Sequence, residues 1–566
     1  MKLSGSQIFI KSLQEEEVDI IFGYPGGAVI DIYDELHKSN LRHILARHEQ
    51  GAVHAADGYA RASGKVGACI VTSGPGATNT VTGIANAYMD SIPVVVFTGQ
   101  VPTALIGTDA FQEADITGIT RPCTKHNFLV RRVSDLAETI RDAFHIARSG
   151  RPGPVLVDLP KDVMQAVIDY EPVPRLSSTD PAHKPDLTRL PDVLDLMSMA
   201  KRPVILLGGG VILGKASDEL GEFARSVRIP VTSTLMGLGA FPGTDPLWLG
   251  MLGMHGTYFA NMAISKCDVL IAIGVRFDDR VTSKIDTFAP NAKVIHIDID
   301  PASIDKNVRT DISIISDCMP ALQLINKLIK DKRFVAPEGR HDDWIKQISQ
   351  WRSEGPLTYC HSSDVIKPQF VVEKLYEITQ GNAIIATEVG QNQMWAAQFY
   401  KFDHPNTFLS SGGLGTMGYG FPAAIGAQLA FPDKLIVDIA GDGSIQMNIQ
   451  ELATAAQYKL PVKIVILNNG YLGMVRQWQE LFYEKRYSHT DMTFQPDFVR
   501  LAEAYNAVGL RATRPEEVES VLKQGLSTPR TVIMDFHVAR QEGVYPMVRP
   551  GDSIAEMDMG RREMIN

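Results

Sequence analysis

Cysteine and tryptophan are both scarce in this 566-residue chain, with five of each. Cys69, Cys123, Cys267, Cys318 and Cys360 are odd in number and widely spaced, and no CxxC pair occurs. That spacing excludes a disulfide scaffold and a zinc ribbon, and fits free thiols in a reducing compartment. Basic charge is also short: 55 Lys and Arg against 65 Asp and Glu leave a net charge of −10. Without a basic stripe or arm, nucleic acid is not expected as a partner. No run of about 18 apolar residues occurs, so no membrane span is predicted. The start, Met1 to Gln7 followed by Glu15-Glu16-Glu17, does not read as a leader, and a cytoplasmic protein is expected. What remains, 45% hydrophobic and 21% charged residues, is an ordinary globular composition in a chain too long for one core.

Three stretches repeat one rhythm of β-branched run, Gly-rich loop and amphipathic helix, which predicts an α/β fold of consecutive domains with mainly parallel sheets. The first, residues 1–175, has strands expected at Asp19–Phe22, Gly67–Val71, Pro93–Phe97 and Pro154–Asp158, with helices from Glu49 to Ser63 and from Asn79 to Met89. A Pro-rich linker, Glu171 to Pro185, leads to the second, residues 190–330, with strands at Pro203–Leu207, Pro230–Thr232, Asp268–Ala272 and Lys293–Ile297. A charged join from about Asp331 to Asp364 precedes the third, residues 365–550, with strands at Ala383–Ala386, Lys434–Asp438, Val462–Leu467 and Thr531–Asp535.

The most informative motif lies in the third stretch. Gly441-Asp442-Gly443-Ser444 ends one expected strand, and Asn468-Asn469 ends the next. Parallel sheets bind ligands at this edge, glycines let backbone approach a diphosphate, and a helix expected from about Met447 turns its N–H dipoles toward the anion. Asp and Asn oxygens suit Mg²⁺, a hard cation that completes its octahedral shell with phosphate and water. Either piece alone is an ordinary turn; the pair at this spacing matches a thiamine-diphosphate motif.

On these residues the chain resembles the thiamine-diphosphate enzymes, and more narrowly the acetolactate synthase (acetohydroxyacid synthase) large-subunit family, from Phe22-Gly23-Tyr24-Pro25-Gly26-Gly27-Ala28 to Val544-Tyr545-Pro546-Met547. The resemblance implies pyrimidine-binding and diphosphate-binding domains flanking a Rossmann-like middle domain. It implies metal ligation by Asp442, Asn469 and the Tyr471 carbonyl, and diphosphate or thiamine contacts at Gln391, Asn392, Gly415, Gly441, Gly443, Ser444, Tyr471, Leu472, Gly473 and Met474. Many relatives carry Gly-Asp-Ala where this chain has Gly443.

The same resemblance gives the first domain its part. Glu49, in Arg47-His48-Glu49-Gln50, matches the carboxyl that serves the aminopyrimidine from a partner subunit, although a first-turn Glu is also a common helix-dipole partner. Met417, in Gly413-Leu414-Gly415-Thr416-Met417, matches the apolar residue that keeps the cofactor bent. Gly27, Phe111 and Gln112 match active-site lining, while Lys161 and Arg276 match entrance residues that serve equally well as surface charges. Met474 and Val475 also fit a core stripe; Trp478 resembles the wall that favours 2-ketobutyrate as acceptor. Thr72–Asn79 is Gly-rich but lacks a P-loop Lys, and reads as a turn feeding a helix.

In the middle domain, Gly208-Gly209-Gly210 is weak alone. The resemblance implies FAD contacts at Arg151, Gly208, Gly210, Gly253, Met254, His255, Gly274, Arg276, Asp298, Ile299 and Asp317. The alternation His296, Asp298, Asp300 reads as a ribose acceptor at Asp298 with solvent-facing neighbours. The implied reaction decarboxylates pyruvate and adds the resulting cofactor-bound enamine to pyruvate or 2-ketobutyrate, giving 2-acetolactate or 2-aceto-2-hydroxybutyrate for branched-chain amino acid synthesis. A homodimer or homotetramer with shared sites and a small regulatory subunit are implied as well. Pyruvate oxidase and glyoxylate carboligase are the near alternatives, and a non-catalytic paralogue the distant one.

Overall fold

In the computed structural model, which describes residues 1–172, 185–331 and 339–560, three six-stranded parallel sheets succeed one another along the chain. Numbering strands from one within each sheet, the first has the spatial order 2-1-3-4-6-5, built from Ile20–Tyr24, Arg42–Leu45, Gly67–Val71, Val94–Gln100, His126–Leu129 and Val155–Pro160. The third repeats that order with Ile384–Thr387, Phe408–Leu409, Ile436–Gly441, Lys463–Asn468, Val508–Ala512 and Val532–His537. The second differs. Its order is 3-2-1-4-5-6, with Pro203–Leu207 and Val269–Ile273 side by side at the centre. That is the doubly wound arrangement whose ligand crevice opens between strands one and four.

The central strands form because their β-branched and aliphatic runs are covered on both faces; Gly67–Val71, Pro203–Leu207 and Val269–Ile273 are buried throughout. The strands expected at Pro93, Pro154 and Pro230 begin one residue later, since proline has no N–H for the ladder. Their carbonyls still accept from Gly67, Lys125 and Ile205.

Two expectations need correction. The charged join carries a helix, Asp342–Glu354, because Trp344, Ile348 and Trp351 recur on one helical face; Trp344 and Ile348 are buried. After Asp442 the chain makes two 3-10 turns, Ile445–Met447 and Ile449–Glu451, and the α-helix begins only at Leu452, not near Met447. Glu451, at the end of the second turn, faces the first domain, and its Oε1 accepts the Arg47 and His48 amides there at 2.9 and 3.0 Å. The Pro-rich linker lies mostly outside the described residues.

The first and third domains also meet through two helices. Glu49–Ser63 is buried from Gly51 to Ala62 and crosses Gly420–Ala430 where glycines face backbone. A Cβ on Gly58 would overlap the Ala423 carbonyl, and one on Gly426 the Ala55 carbonyl, so only glycine permits this approach. No described helix is long and apolar enough to cross a membrane.

Candidate active site

Asp442 and Asn469 directly follow two adjacent strands, Ile436–Gly441 and Lys463–Asn468, so the sheet itself brings them together. Asp442 is 1% exposed; its Oδ1 accepts the Asn469 amide at 3.3 Å, whereas its Oδ2 is buried with no protein partner. Burial pushes its carboxyl up to about 7. Asn469 Oδ1 accepts the Tyr471 amide at 3.0 Å, and its Nδ2 donates to Gln391 Oε1 at 3.1 Å. Gln391 in turn donates to Gln477 Oε1 at 2.9 Å and to the Glu542 carbonyl at 3.0 Å, while Asn392 donates to the carbonyls of Glu388 and Ile439.

Side chains crowd two glycines at this edge and would have to shift for a larger residue. A Cβ on Gly443 would stand 2.8 Å from Leu472 Cδ2, and one on Gly473 would overlap Gln391 Oε1. Ser444 Oγ exchanges hydrogen bonds with the Gly441 amide and carbonyl, which closes the turn. Gly473 opens the helix Gly473–Phe482, which carries Met474, Val475 and Trp478. Val475 is 53% exposed, so the core-stripe reading fails for it. The Trp478 ring lies 5.8 Å from the Arg280 guanidinium, and its Nε1 is buried without a partner.

A second group gathers at the edge of the first sheet. Glu49 opens the helix capped by His48, whose Nδ1 accepts the Gln50 amide at 3.1 Å; Glu49 Oε2 accepts Asn79 Nδ2 at 2.9 Å. Lys161 Nζ donates to the Gly27 carbonyl at 3.1 Å, so these two predicted residues meet. Gln112 has φ of 58° and packs its backbone where a Cβ on Gly74 would come within 2.8 Å. Phe111 beside it is 89% exposed. Thr72–Asn79 feeds a helix as expected, and its Asn79 is a Glu49 partner that sequence reasoning passed over.

Met417 sits in the segment before Gly420–Ala430, with Gly415 at φ of 72°. Glu388, also missed from sequence, accepts the Gly418 amide at 2.6 Å and the Phe421 amide at 3.1 Å. Burial raises Glu388 to about 7 and pushes its neighbour Asp438 well up, with the Glu388 charge adding to the rise in Asp438.

The middle domain opens a cavity of about 510 Å³ at its strand ends. Arg151, Gly210, Met254, His255, Gly274, Arg276, Asp298, Ile299 and Asp317 line it, and Gly415, Met474 and Trp478 reach it from the third domain. Gly208 and Gly253 do not line it. Gly208 instead packs against Gly274, and Gly253 against Arg280 backbone. Burial raises Asp298 to about 6 and lowers His255 to about 4. His296 is not solvent-facing: it is fully buried, hydrogen-bonded to the Val275 carbonyl at 2.9 Å and edge-on to Phe277. Asp300 pairs with Arg151 at 3.2 Å.

Family models cover three segments: the N-terminal thiamine pyrophosphate binding domain matches residues 3–119, the thiamine pyrophosphate enzyme central domain 190–325, and the C-terminal thiamine pyrophosphate binding domain 388–536. Two like sheets around a dinucleotide-type centre, with this Gly-Asp-Gly edge, define a thiamine pyrophosphate enzyme. The acetolactate synthase large subunit of Haemophilus influenzae is 49% identical over 99% of both chains, and the isozyme 3 large subunit of Escherichia coli K12 is 50% identical over 99% of both. An acetolactate synthase of Mycobacterium bovis is 51% identical over 99% of this chain and 92% of its own. The chain belongs to the acetolactate synthase large-subunit family.

Proposed function

We propose that this chain joins a two-carbon unit from pyruvate to pyruvate or 2-ketobutyrate, forming 2-acetolactate or 2-aceto-2-hydroxybutyrate. The observation that carries the reading is identity of about half over nearly the full length of acetolactate synthases. Thiamine diphosphate, when bound, supplies the carbanion chemistry by which a 2-keto acid loses CO₂ and its remainder adds to a second carbonyl. Asp442, Asn469 and the Tyr471 carbonyl would hold Mg²⁺. The buried Asp442 Oδ2, which lacks a protein partner, favours a cation there. Gly441, Gly443, Ser444, Gln391, Asn392, Leu472 and Gly473 would cradle the diphosphate, with Met417, Gly415 and Met474 against the thiamine rings.

Glu49 would hold a proton at its carboxyl for the pyrimidine nitrogen, Asn79 fixing the oxygen that accepts. Gln112 and the Gly27 backbone would steady alkoxide charge on the substrate, Lys161 would draw carboxylates in, and Phe111, Val475 and Trp478 would enclose the acceptor. Glu49 and Asp442 stand at edges of different sheets, and large apolar side chains in the same two domains are uncovered: Phe111 at 89% exposure, Met447 at 56% and Phe494 at 102%. A second copy of this chain is the occupant that would cover them and set Glu49 of one copy over Asp442 of the other. The 510 Å³ cavity, with Gly208, Gly210 and Gly274 packed backbone to backbone at the crevice, supports FAD as a resident cofactor. The relatives' names as large subunits support a smaller partner chain, which co-purification would reveal.

Incubation with thiamine diphosphate, Mg²⁺, FAD and pyruvate, with and without 2-ketobutyrate, tests the reading. Formation of 2-acetolactate and 2-aceto-2-hydroxybutyrate is expected. Acetate or acetyl phosphate with oxygen consumption, and no new C–C bond, would overturn it in favour of an oxidase.

A further inference from the structure

Asp90 ends the helix Val81–Asp90 in the first domain, yet its carboxylate takes two backbone amides from the third. Its Oδ2 accepts the Gly412 amide at 3.0 Å and its Oδ1 the Gly413 amide at 2.7 Å, while Arg61 Nη2 reaches Oδ2 at 2.9 Å. Arg61 also binds Asp57 Oδ1 at 2.6 Å, and that carboxylate accepts the Tyr419 hydroxyl at 2.7 Å. The Arg61 guanidinium lies 5.2 Å from the Tyr419 ring. Asn86, on the Asp90 helix, takes hydrogen bonds from Ser411 and from Thr416 Oγ1, and Ser411 Oγ takes the Thr416 amide at 2.8 Å. From the opposite side Glu388 holds Gly418 and Phe421.

All the first-domain members of this network, Asp57, Arg61, Asn86 and Asp90, are buried. Two carboxylates around one guanidinium, each with donors to its oxygens, make such a buried cluster costly to rearrange and therefore geometrically definite. Residues 411–419 hang between these anchors, and they include Met417.

We propose that Asp90 is a positioning residue for the carboligation site: its carboxylate fixes the backbone of residues 411–419 and so places Met417. This rests on the reading of Met417 as the apolar support against the cofactor. The first domain thus serves the site twice, once by offering Glu49 at the head of its helix and once by gripping the opposite domain's backbone. A carboxylate suits the task because both oxygens accept; an amide at the same place has one acceptor and must release Gly412 or Gly413.

The test compares Asp90→Asn, Met417→Ala and the double variant in the full chain. Amide hydrogen exchange in the cofactor-free protein should quicken about tenfold or more across residues 410–420 in Asp90→Asn, with peptides from 51–62 changing less than about threefold. Unchanged exchange across 410–420 overturns the proposal. In the loaded enzyme Asp90→Asn should lower kcat about 10- to 100-fold, the cost of a misplacement near 1 Å, with KM for pyruvate within about threefold. The double variant should lose little more than the worse single variant, because both act through one side chain. If Met417→Ala leaves kcat unchanged, the site reading fails and takes the proposal with it. If Met417→Ala slows turnover but Asp90→Asn does not, or the double loss equals the product of the two, the site reading stands and the proposal alone falls. Should Asp90→Asn not fold, Ser411→Ala releases the Thr416 amide without disturbing the ion pairs. It should quicken exchange and slow kcat about three- to tenfold, and no change in either overturns the clasp.

Discussion

The first and third domains are one sheet used twice, with the same 2-1-3-4-6-5 order, but their ligand edges differ in kind. The third presents a dry edge: Asp442, Asn469, Gln391 and Asn392 are all buried, the first three linked by hydrogen bonds and Asn392 tied to backbone carbonyls, with one carboxyl oxygen left over. The first presents an open one, where Gly27 has nothing within 4 Å of its Cβ direction and Phe111 stands in solvent. Holding a metal and a diphosphate demands fixed oxygens and amides away from water. Offering a proton and receiving a substrate demands access. On the proposed function, one strand order would serve both tasks through different loops at its strand ends.

Removing the dry edge should cost most. Asp442→Ala is expected to abolish Mg²⁺-dependent cofactor retention and lower turnover by at least about 10³-fold, read by equilibrium dialysis and product formation. Unchanged cofactor affinity would dissolve the distinction drawn for that edge. At the open edge, Glu49→Gln should lower kcat about 10²-fold or more while Mg²⁺ affinity stays within about threefold; loss of metal binding instead would show that the two edges are not separate functions.

Glycine gives a sharper contrast. Gly473→Ala must push Gln391 aside and should weaken cofactor binding by about 1–3 kcal/mol, whereas Gly27→Ala should leave the melting temperature unchanged. Calorimetry of both variants checks this pair, and equal effects would contradict it. Trp478→Leu should reduce the preference for 2-ketobutyrate over pyruvate about tenfold, measured in mixed-acceptor competition. A further effect is on stability rather than on chemistry. Asp158, buried between Thr98 and Gln100 in the first sheet, is raised from 3.8 to about 7 by burial. Between those values the folded chain keeps a proton that the unfolded chain releases, so stability falls as pH rises, by at most about 1.4 kcal/mol per pH unit. Asp158→Asn should flatten that slope in urea titrations at several pH values, and an unaltered slope would show that Asp158 does not hold the proton.

Much of this architecture was legible in the sequence because central parallel strands are continuous apolar runs. Several edge strands were not. His126–Leu129 is partly exposed, Phe408–Leu409 has two residues, and Val508–Ala512 carries Arg511, which pairs with Asp535 and Asp497. A strand covered on one side has no need of an unbroken hydrophobic signature. In the site, residues adjacent in sequence or one strand apart, such as Asp442 with Asn469, could be read directly. Asp90 with Gly412, or Glu451 with Arg47, could not. Each pair is separated by hundreds of residues, and each works through backbone amides that carry no residue identity.

The most direct test of the paired edges mixes two inactive proteins. Glu49→Gln and Asp442→Ala chains, dissociated and reassociated together, should recover about a quarter of the native activity, since half of the dimers would be mixed and one of their two sites intact. Recovery of that size would show that one copy's first domain completes another copy's third. No recovery, from chains shown to have exchanged, would mean that each chain closes its own site and would contradict the account.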